Sequence, residues 1–274
     1  GNYGPGIYMM SARSGGGNRI FMYDVTADFG SNPQLNAYSI NVPAYSPAAD
    51  AYQTGSAPDL NNNDCRMQHA FYLNGRLYAV HHADYNNTAY NGINYYRVPV
   101  SNLSGVETAV YGQNGKDFSY PSIASFGLDS ADLGVMIGYL RVSSSSYPSM
   151  EVVNCDYNMQ FSSPTVVKNG ATYIDYSWAS GVERWGDYST MQRKHNATAP
   201  EVWFAGCFGA TSPVNHTWNT WIGEIKGDYE ATPFPEAAFT ADTTEGFPGL
   251  IVTFSDTSLN NPTFRSWKFT GGAP

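Results

Sequence analysis

The stretch Gln68-His-Ala-Phe-Tyr-Leu-Asn-Gly-Arg-Leu-Tyr-Ala-Val-His-His-Ala83, followed by Gly92-Ile-Asn-Tyr-Tyr-Arg-Val98, decides the fold. Its apolar and aromatic runs are strand-sized, and each is closed by Gly, Asn, Asp or Pro. The same grammar continues outward. A second group reads Tyr120-Pro-Ser-Ile-Ala-Ser-Phe-Gly127, Val135-Met-Ile-Gly-Tyr-Leu-Arg141 and Met150-Glu-Val-Val-Asn-Cys155. A third reads Asp187-Tyr-Ser-Thr-Met-Gln-Arg-Lys194, Glu201-Val-Trp-Phe-Ala-Gly-Cys-Phe208 and Thr217-Trp-Asn-Thr-Trp-Ile-Gly-Glu-Ile225. Further strands are expected at Ile7–Ala12, Arg19–Val25 and Ala171–Tyr176. No apolar pattern of helical period persists for about ten residues, so the class is all-β.

The groups begin near Met67, Tyr120 and Asp187, a spacing of roughly 50 to 65 residues. A repeat of three or four strands at that spacing suits a β-propeller, whose small sheets bury their faces only against neighbouring blades. A β-sandwich is the alternative, but it has no need of the same strand order three times. With an incomplete earlier group from Ile7 to Val42, residues 1–226 hold about four blades. The bare start at Gly1 leads us to expect that earlier blades are missing. Residues 227–235 read as a polar, Pro-containing linker. Residues 236–274 open a second β-domain, with strands expected at Ala238–Ala241 and Leu250–Ser255 and a later Ser266-Trp-Lys-Phe269. That length cannot complete a sandwich of about 90 to 100 residues.

Composition narrows the function. The 274 residues include 27 Gly and 16 Pro, with 15% aromatic and 14% charged residues, against about 25% charged in an ordinary soluble domain. Helical bundles, coiled coils and disordered chains are excluded by that balance. The net charge is -9, and only 14 Lys and Arg are scattered along the chain, which argues against a nucleic-acid partner. No apolar run approaches the roughly 18 residues of a membrane span, so no membrane insertion is expected. Cys65, Cys155 and Cys207 are too few for a disulfide framework. Cys155 and Cys207 both end apolar runs and can face each other as a disulfide; three buried small side chains are the other reading.

The segment Ala238-Phe-Thr-Ala-Asp242, with Val252-Thr-Phe-Ser-Asp-Thr-Ser258, Asn261-Pro-Thr263 and Ser266-Trp-Lys-Phe-Thr-Gly-Gly-Ala-Pro274, resembles the first half of a PKD domain. Its Phe-Thr-Gly-Gly departs from the usual Phe-Gly-Asp-Gly in the manner of such domains in Bacteroidetes surface proteins. Glu183-Arg-Trp-Gly-Asp-Tyr-Ser189, Pro200-Glu-Val-Trp-Phe-Ala-Gly-Cys-Phe-Gly209 and Thr217-Trp-Asn-Thr-Trp-Ile-Gly223 resemble a sialidase-like or BNR-like propeller of large secreted proteins. The resemblance implies a protein exported by the type 9 secretion system and displayed or released at the cell surface, a class that includes adhesins linked to gliding. Asp129-Ser-Ala and Asp242-Thr-Thr match the short O-glycan pattern of those bacteria, while the sequons at Asn86, Asn102, Asn196 and Asn215 mark surface loops.

A catalytic sialidase would need three Arg to clamp a carboxylate, a Tyr paired with Glu as nucleophile, and an Asp acid/base. Arg66, Arg141, Arg184, Glu183, Asp187 and Tyr188 supply the residue types, but the Arg positions share no one place in the repeat. A non-catalytic role is therefore expected. Asp64, Arg66, Tyr120, Arg184, Trp185, Asp187 and Tyr188 stand where the chain enters the innermost strands, at one mouth of the channel. They can bind a sugar or a peptide; the other reading is a structural corner. Asp59, Asn61, Asn63 and Asp64 offer oxygen ligands for calcium, although Asp64 and Ala70 stand where an EF-hand has Gly and Glu. A solvated turn is the alternative. No other cofactor is expected. His81 and His82 are adjacent in a strand, point to opposite faces and cannot share an ion, even with His69 near in sequence. There is no phosphate loop, His-Glu-x-x-His or Gly-x-Ser-x-Gly.

The expected function is a binding or adhesive segment of a secreted, surface-displayed multidomain protein, with a glycan or protein ligand. Its partner would be the rest of the polypeptide, or a second chain supplying missing blades. A glycoside hydrolase, an accessory propeller of a secreted hydrolase, and a purely structural segment of a surface filament are the alternatives.

Overall fold

Asn74 and Gly75 both take positive φ, 46° and 78°, and join two strands whose last pair is Leu73 with Arg76. This is the two-residue turn that matches the twist of a hairpin. In the computed structural model, which describes residues 7–26, 32–55, 57–129, 131–176, 181–211, 216–227, 237–247, 249–259 and 265–268, such connections build a series of antiparallel meanders. The first sheet holds β1 (Ile7–Ala12), β2 (Gly17–Thr26) and β3 (Gln34–Tyr45). After the short β4 (Asp59–Leu60), the second holds β5 (His69–Leu73), β6 (Arg76–Asp84), β7 (Asn91–Pro99) and β8 (Glu107–Tyr111). The third holds β9 (Asp117–Ser125), β10 (Val135–Ser143), β11 (Ser146–Cys155) and β12 (Thr165–Lys168). The short β13 (Val182–Glu183) precedes a fourth sheet of β14 (Thr190–Arg193), β15 (Glu201–Thr211) and β16 (His216–Lys226).

Successive sheets stack face to face, and three separate apolar layers lie between them. Ile20, Met22 and Ile40 meet Leu77, Tyr96 and Val98 between the first two sheets. Tyr78, Val80, Ile93 and Tyr95 meet Ile123, Ile137 and Tyr139 between the second and third. Met136, Leu140 and Met150 meet Met191, Val202 and Phe204 between the third and fourth. The third sheet is thus covered on both faces, and every residue of β10 is buried. Alternate residues of that strand serve different layers, Ile137 and Tyr139 one, Met136 and Leu140 the other, as the period of two requires. Full burial accounts for its near-continuous apolar sequence. The first strands β1, β5, β9 and β14 neighbour one another in that order.

Two sequence expectations change in this unit. Ala171–Tyr176 is no strand: Ile174 is held by the side chain of Gln53 (N–H to Oε1, 2.8 Å) and Asp175 makes an isolated bridge to His216. The fourth strand of the third sheet is Thr165–Lys168 instead. Cys155 and Cys207 are not joined. Cys155 lies in the layer between the second and third sheets and Cys207 in the layer beyond, so the third sheet separates them. All three cysteines are free and buried.

The chain divides into two compact units, Gly1–Gly227 and Asp228–Pro274. In the second, β17 (Phe239–Ala241) pairs with β18 (Phe254–Asp256). Pairing begins at Phe254 rather than Leu250 because the Thr253 N–H is taken by the Asp242 carboxylate (3.0 Å). Phe239, Phe254 and Trp267 form a ring cluster with centroids 5.7 to 6.2 Å apart. Residues 228–235 of the linker, Asn261-Pro-Thr263, the sequon residue Asn215 and Ser130 lie outside the described residues.

Candidate functional site

Ala51 and Leu60 are both buried in the layer between the third and fourth sheets. Leu60 exchanges both backbone hydrogen bonds with Ala51 (2.7 and 2.8 Å). Its strand β4 then pairs in parallel with β13, Asp59 opposite Val182 and Leu60 opposite Glu183. The Asn61 N–H continues the pairing to the Glu183 carbonyl (2.8 Å). The Asp50 carboxylate fixes the turn by accepting from the Asn61 amide and the Asn62 N–H, each at 3.1 Å. Residues 61–66 thereby meet residues 183–188, more than a hundred positions away in sequence.

Tyr120 marks the other side of this junction. Ser119 opposes Leu140 and Ser122 opposes Gly138, leaving Tyr120 and Pro121 together opposite Tyr139. The extra residue is a β-bulge, and Tyr120 takes φ 50° within it, an uncommon conformation for a bulky side chain. The bulge turns its ring onto the face shared with the fourth sheet. There the Tyr120 hydroxyl and the Trp185 indole N–H both donate to the Asn61 carbonyl, at 2.5 and 3.1 Å. The two rings meet edge to face at 5.8 Å. Gly186 is dictated by this contact, since a Cβ there would stand 2.9 Å from the Tyr120 ring.

His82 locks the bulge from behind. Its Nδ1 accepts from the Tyr120 N–H (3.0 Å), so its Nε2 donates to the Asn62 carbonyl (2.7 Å). Burial holds its pKa down at about 4. Asn62 in turn receives the Ser119 hydroxyl (2.8 Å). Below it the buried Asp117 accepts from the Asn91 N–H (2.9 Å), and burial raises this carboxyl to about 7.

The seven residues singled out from sequence gather at this junction, in two layers. Tyr120 and Trp185 are buried and act as scaffold. Above them Asp64 pairs with Arg66 (2.5 Å) and Asp187 with Arg184 (2.5 Å), while Asn63 donates to Asp187 (2.9 Å). Tyr188, 64% exposed, hydrogen-bonds to Arg66. Arg66 also holds the Asp64 carboxyl below its usual range. A pocket of about 240 Å³ opens here between Arg184, Asp187, Tyr176 and Trp218.

The calcium set does not survive as a set of free ligands. Asn61 Oδ1 accepts from the Asn63 N–H, Asn63 is turned to Asp187, and both Asp64 oxygens face Arg66. Only the Asp59 carboxylate is left, so the residues do not fit that ion. Among the described residues no group of three or more His, Cys, Asp or Glu is placed to hold a metal.

The arginine triad does not form either. Arg141 is buried against Glu151 (2.9 Å) within the third sheet, on the face opposite Tyr120, and Arg66 and Arg184 are each neutralised by a neighbouring carboxylate. A Tyr–Glu pair does exist, Tyr139 donating to Glu151 (3.1 Å), but Tyr139 is wholly buried.

A larger cleft, about 570 Å³, was not visible in the sequence. It is lined by Ile7 and Tyr8 of β1, Phe71 and Tyr72 of β5, Ile123 of β9 and Arg193 of β14. The signal that could have found it is the first strand of every group, taken together rather than singly.

The chain is therefore an all-β protein of stacked antiparallel meanders carrying a polar and aromatic junction. No family model and no curated protein matches it. Among solved structures it is similar to a subtype N11 neuraminidase-like protein of A/flat-faced bat/Peru/033/2010 (H18N11), with 10% identity and a TM-score of 0.32 over 82% of this chain and 96% of that one.

Proposed function

We propose that the first unit is a non-catalytic binding module, an arc of propeller blades that holds a hydroxyl-rich, uncharged glycan at the 184–188 junction. The observation that carries this reading is the pairing of Arg66 with Asp64 and of Arg184 with Asp187 beside Tyr188 and Trp218. Such pairs offer donors and acceptors together at no net charge, which suits sugar hydroxyls, and the aromatic rings supply apolar faces. The consecutive stacking of the sheets and the convergence of their first strands on one cleft support the propeller reading.

The protein would act as a segment of a secreted or surface-displayed chain, with the second unit as a PKD-like spacer; the resemblance of residues 238–274 supports this. Further blades, from the same polypeptide or a second chain, would cover the ends of the stack. The first sheet leaves Ile7, Met9 and Leu35 exposed on its outer face, and the fourth leaves Trp203 and Ile222 exposed on its own. A glycan array followed by titration of the best binder tests the function. Arg184→Ala and Tyr188→Ala should each weaken binding about tenfold or more with the thermal midpoint unchanged. Absence of binding across the array, or release of sugar from fluorogenic glycosides at an enzymatic rate, would overturn it.

A further inference from the structure

The cleft between the first strands is divided in character. On the side of the first two sheets its wall is apolar and aromatic, with Tyr8 stacked on Tyr72 at 5.0 Å and Phe71 alongside. On the side of the third and fourth sheets the apolar Ile123, Ala124 and Met191 are joined by polar residues, among them Arg193 and His195. Among the described residues Arg193 has no ion-pair partner; its Nη1 donates to the Ser125 carbonyl (3.3 Å). Asp132, whose charge acts on it through space, is held by the N–H groups of Leu128 (3.3 Å) and Gly134 (2.9 Å). The Asp129 carboxylate, also in the wall, accepts from the Ala131 and Asp132 N–H groups.

His69 reaches the same place from the opposite side. Its Nδ1 accepts from the Ile123 N–H (3.0 Å), so its proton sits on Nε2, a donor with no partner among the described residues. Ile123 and Ser125 are two residues apart on the free edge of β9, a separation of about 7 Å. His69 and Arg193 therefore flank one short stretch of strand, and a group lying over that stretch is within reach of both.

We propose that this cleft binds an amphipathic carboxylate, its apolar or aromatic body along Tyr8, Phe71 and Tyr72 and its carboxylate on Arg193 and the His69 Nε2–H. The volume, about 570 Å³, falls within the range of small-ligand sites. A guanidinium prefers a carboxylate over its amide because the two full charges attract and both carboxylate oxygens can accept from the planar fork, whereas the amide offers one neutral oxygen. The acid can be a free small molecule or the end of a peptide with a bulky apolar last residue.

Calorimetric titration of the full chain with 4-phenylbutyrate and with its amide is the first test. A second pair, a pentapeptide ending in phenylalanine as free acid and as amide, distinguishes the two sources. Whichever acid binds should do so at least about tenfold more tightly than its amide. Arg193→Gln should abolish that preference, and Tyr8→Ala should weaken acid and amide alike. Equal binding of acid and amide, no binding of either acid, or a preference that survives Arg193→Gln would overturn the proposal. The acid–amide comparison on the unaltered chain decides without any variant, and the glycan site shares none of these residues.

Discussion

Tyr120 concentrates the chemistry of the junction in one residue. Its backbone is held at φ 50° before a proline, a conformation that costs on the order of 1–3 kcal/mol and persists only where the surroundings over-determine it. His82, Ser189, Asn61 and Trp185 are those surroundings, with the Ser189 hydroxyl donating to the Tyr120 carbonyl at 2.6 Å. Tyr120→Phe removes one of two donors to the Asn61 carbonyl, so urea unfolding should show a loss of about 1 kcal/mol. Tyr120→Ala should cost about 3–5 kcal/mol through the cavity left beside Trp185. Two titrations should be separable in the same assay. His81 and His82 are neutral in the fold, held down to about 3 and about 4 by burial and, at His81, by the neighbouring His82 charge. Their ordinary value is about 6.5, so stability present above that pH is lost as the pH falls toward 4. His82→Gln should therefore gain relative to the parent across that interval. Asp117 has the opposite sign: its folded value is raised to about 7 by burial, so its contribution is full below about pH 4 and lost as the pH rises through 7. The stability difference between Asp117→Asn and the parent should move in the variant's favour from pH 4 to 7; a difference independent of pH would show that Asp117 ionises freely in the fold.

At the scale of elements, the third sheet sets the tolerances. A Cβ on Gly138 would stand 2.6 Å from the Phe204 ring and 2.7 Å from Met191 Cε. Gly138→Ala should cost about 1–3 kcal/mol by overpacking, measured as a shift in the denaturant midpoint with an unchanged slope. This strand was legible in the sequence because burial on both faces writes a continuous apolar run from Val135 to Leu140. The outer strands were not. Glu107–Tyr111 and Thr165–Lys168 are half exposed and mix polar with apolar positions, so they carry little of the pattern that identifies a strand. The false strand at Ala171–Tyr176 shows the converse, a mixed stretch held by the Gln53 side chain and by single backbone contacts to Gly209 and His216 rather than by a ladder. The junction was legible as a place, since Arg184 to Tyr188 is an unusual run, but not as a geometry. The placement of residues 57–66 depends on two short pairings to Ala51 and Val182, too brief to leave a periodic trace. The cleft was hidden for a related reason: its wall is one strand from each of four sheets.

The whole first unit is a row of sheets whose layers are chemically separate, and this bears on how it opens. Each layer holds one cysteine: Cys65 between the first and second sheets, Cys155 between the second and third, and Cys207 between the third and fourth. Burial pushes each thiol up to about 12, so none should react with an alkylating reagent while the layers are closed. Mass-spectrometric labelling in rising urea should modify Cys65 and Cys207 before Cys155, whose layer is flanked by a further sheet on either side. Equal labelling of all three at every urea concentration would mean that the row opens as one cooperative body. The protein thus carries a native set of position-coded clocks, one per seam, that can time the parting of each pair of sheets without any engineered probe.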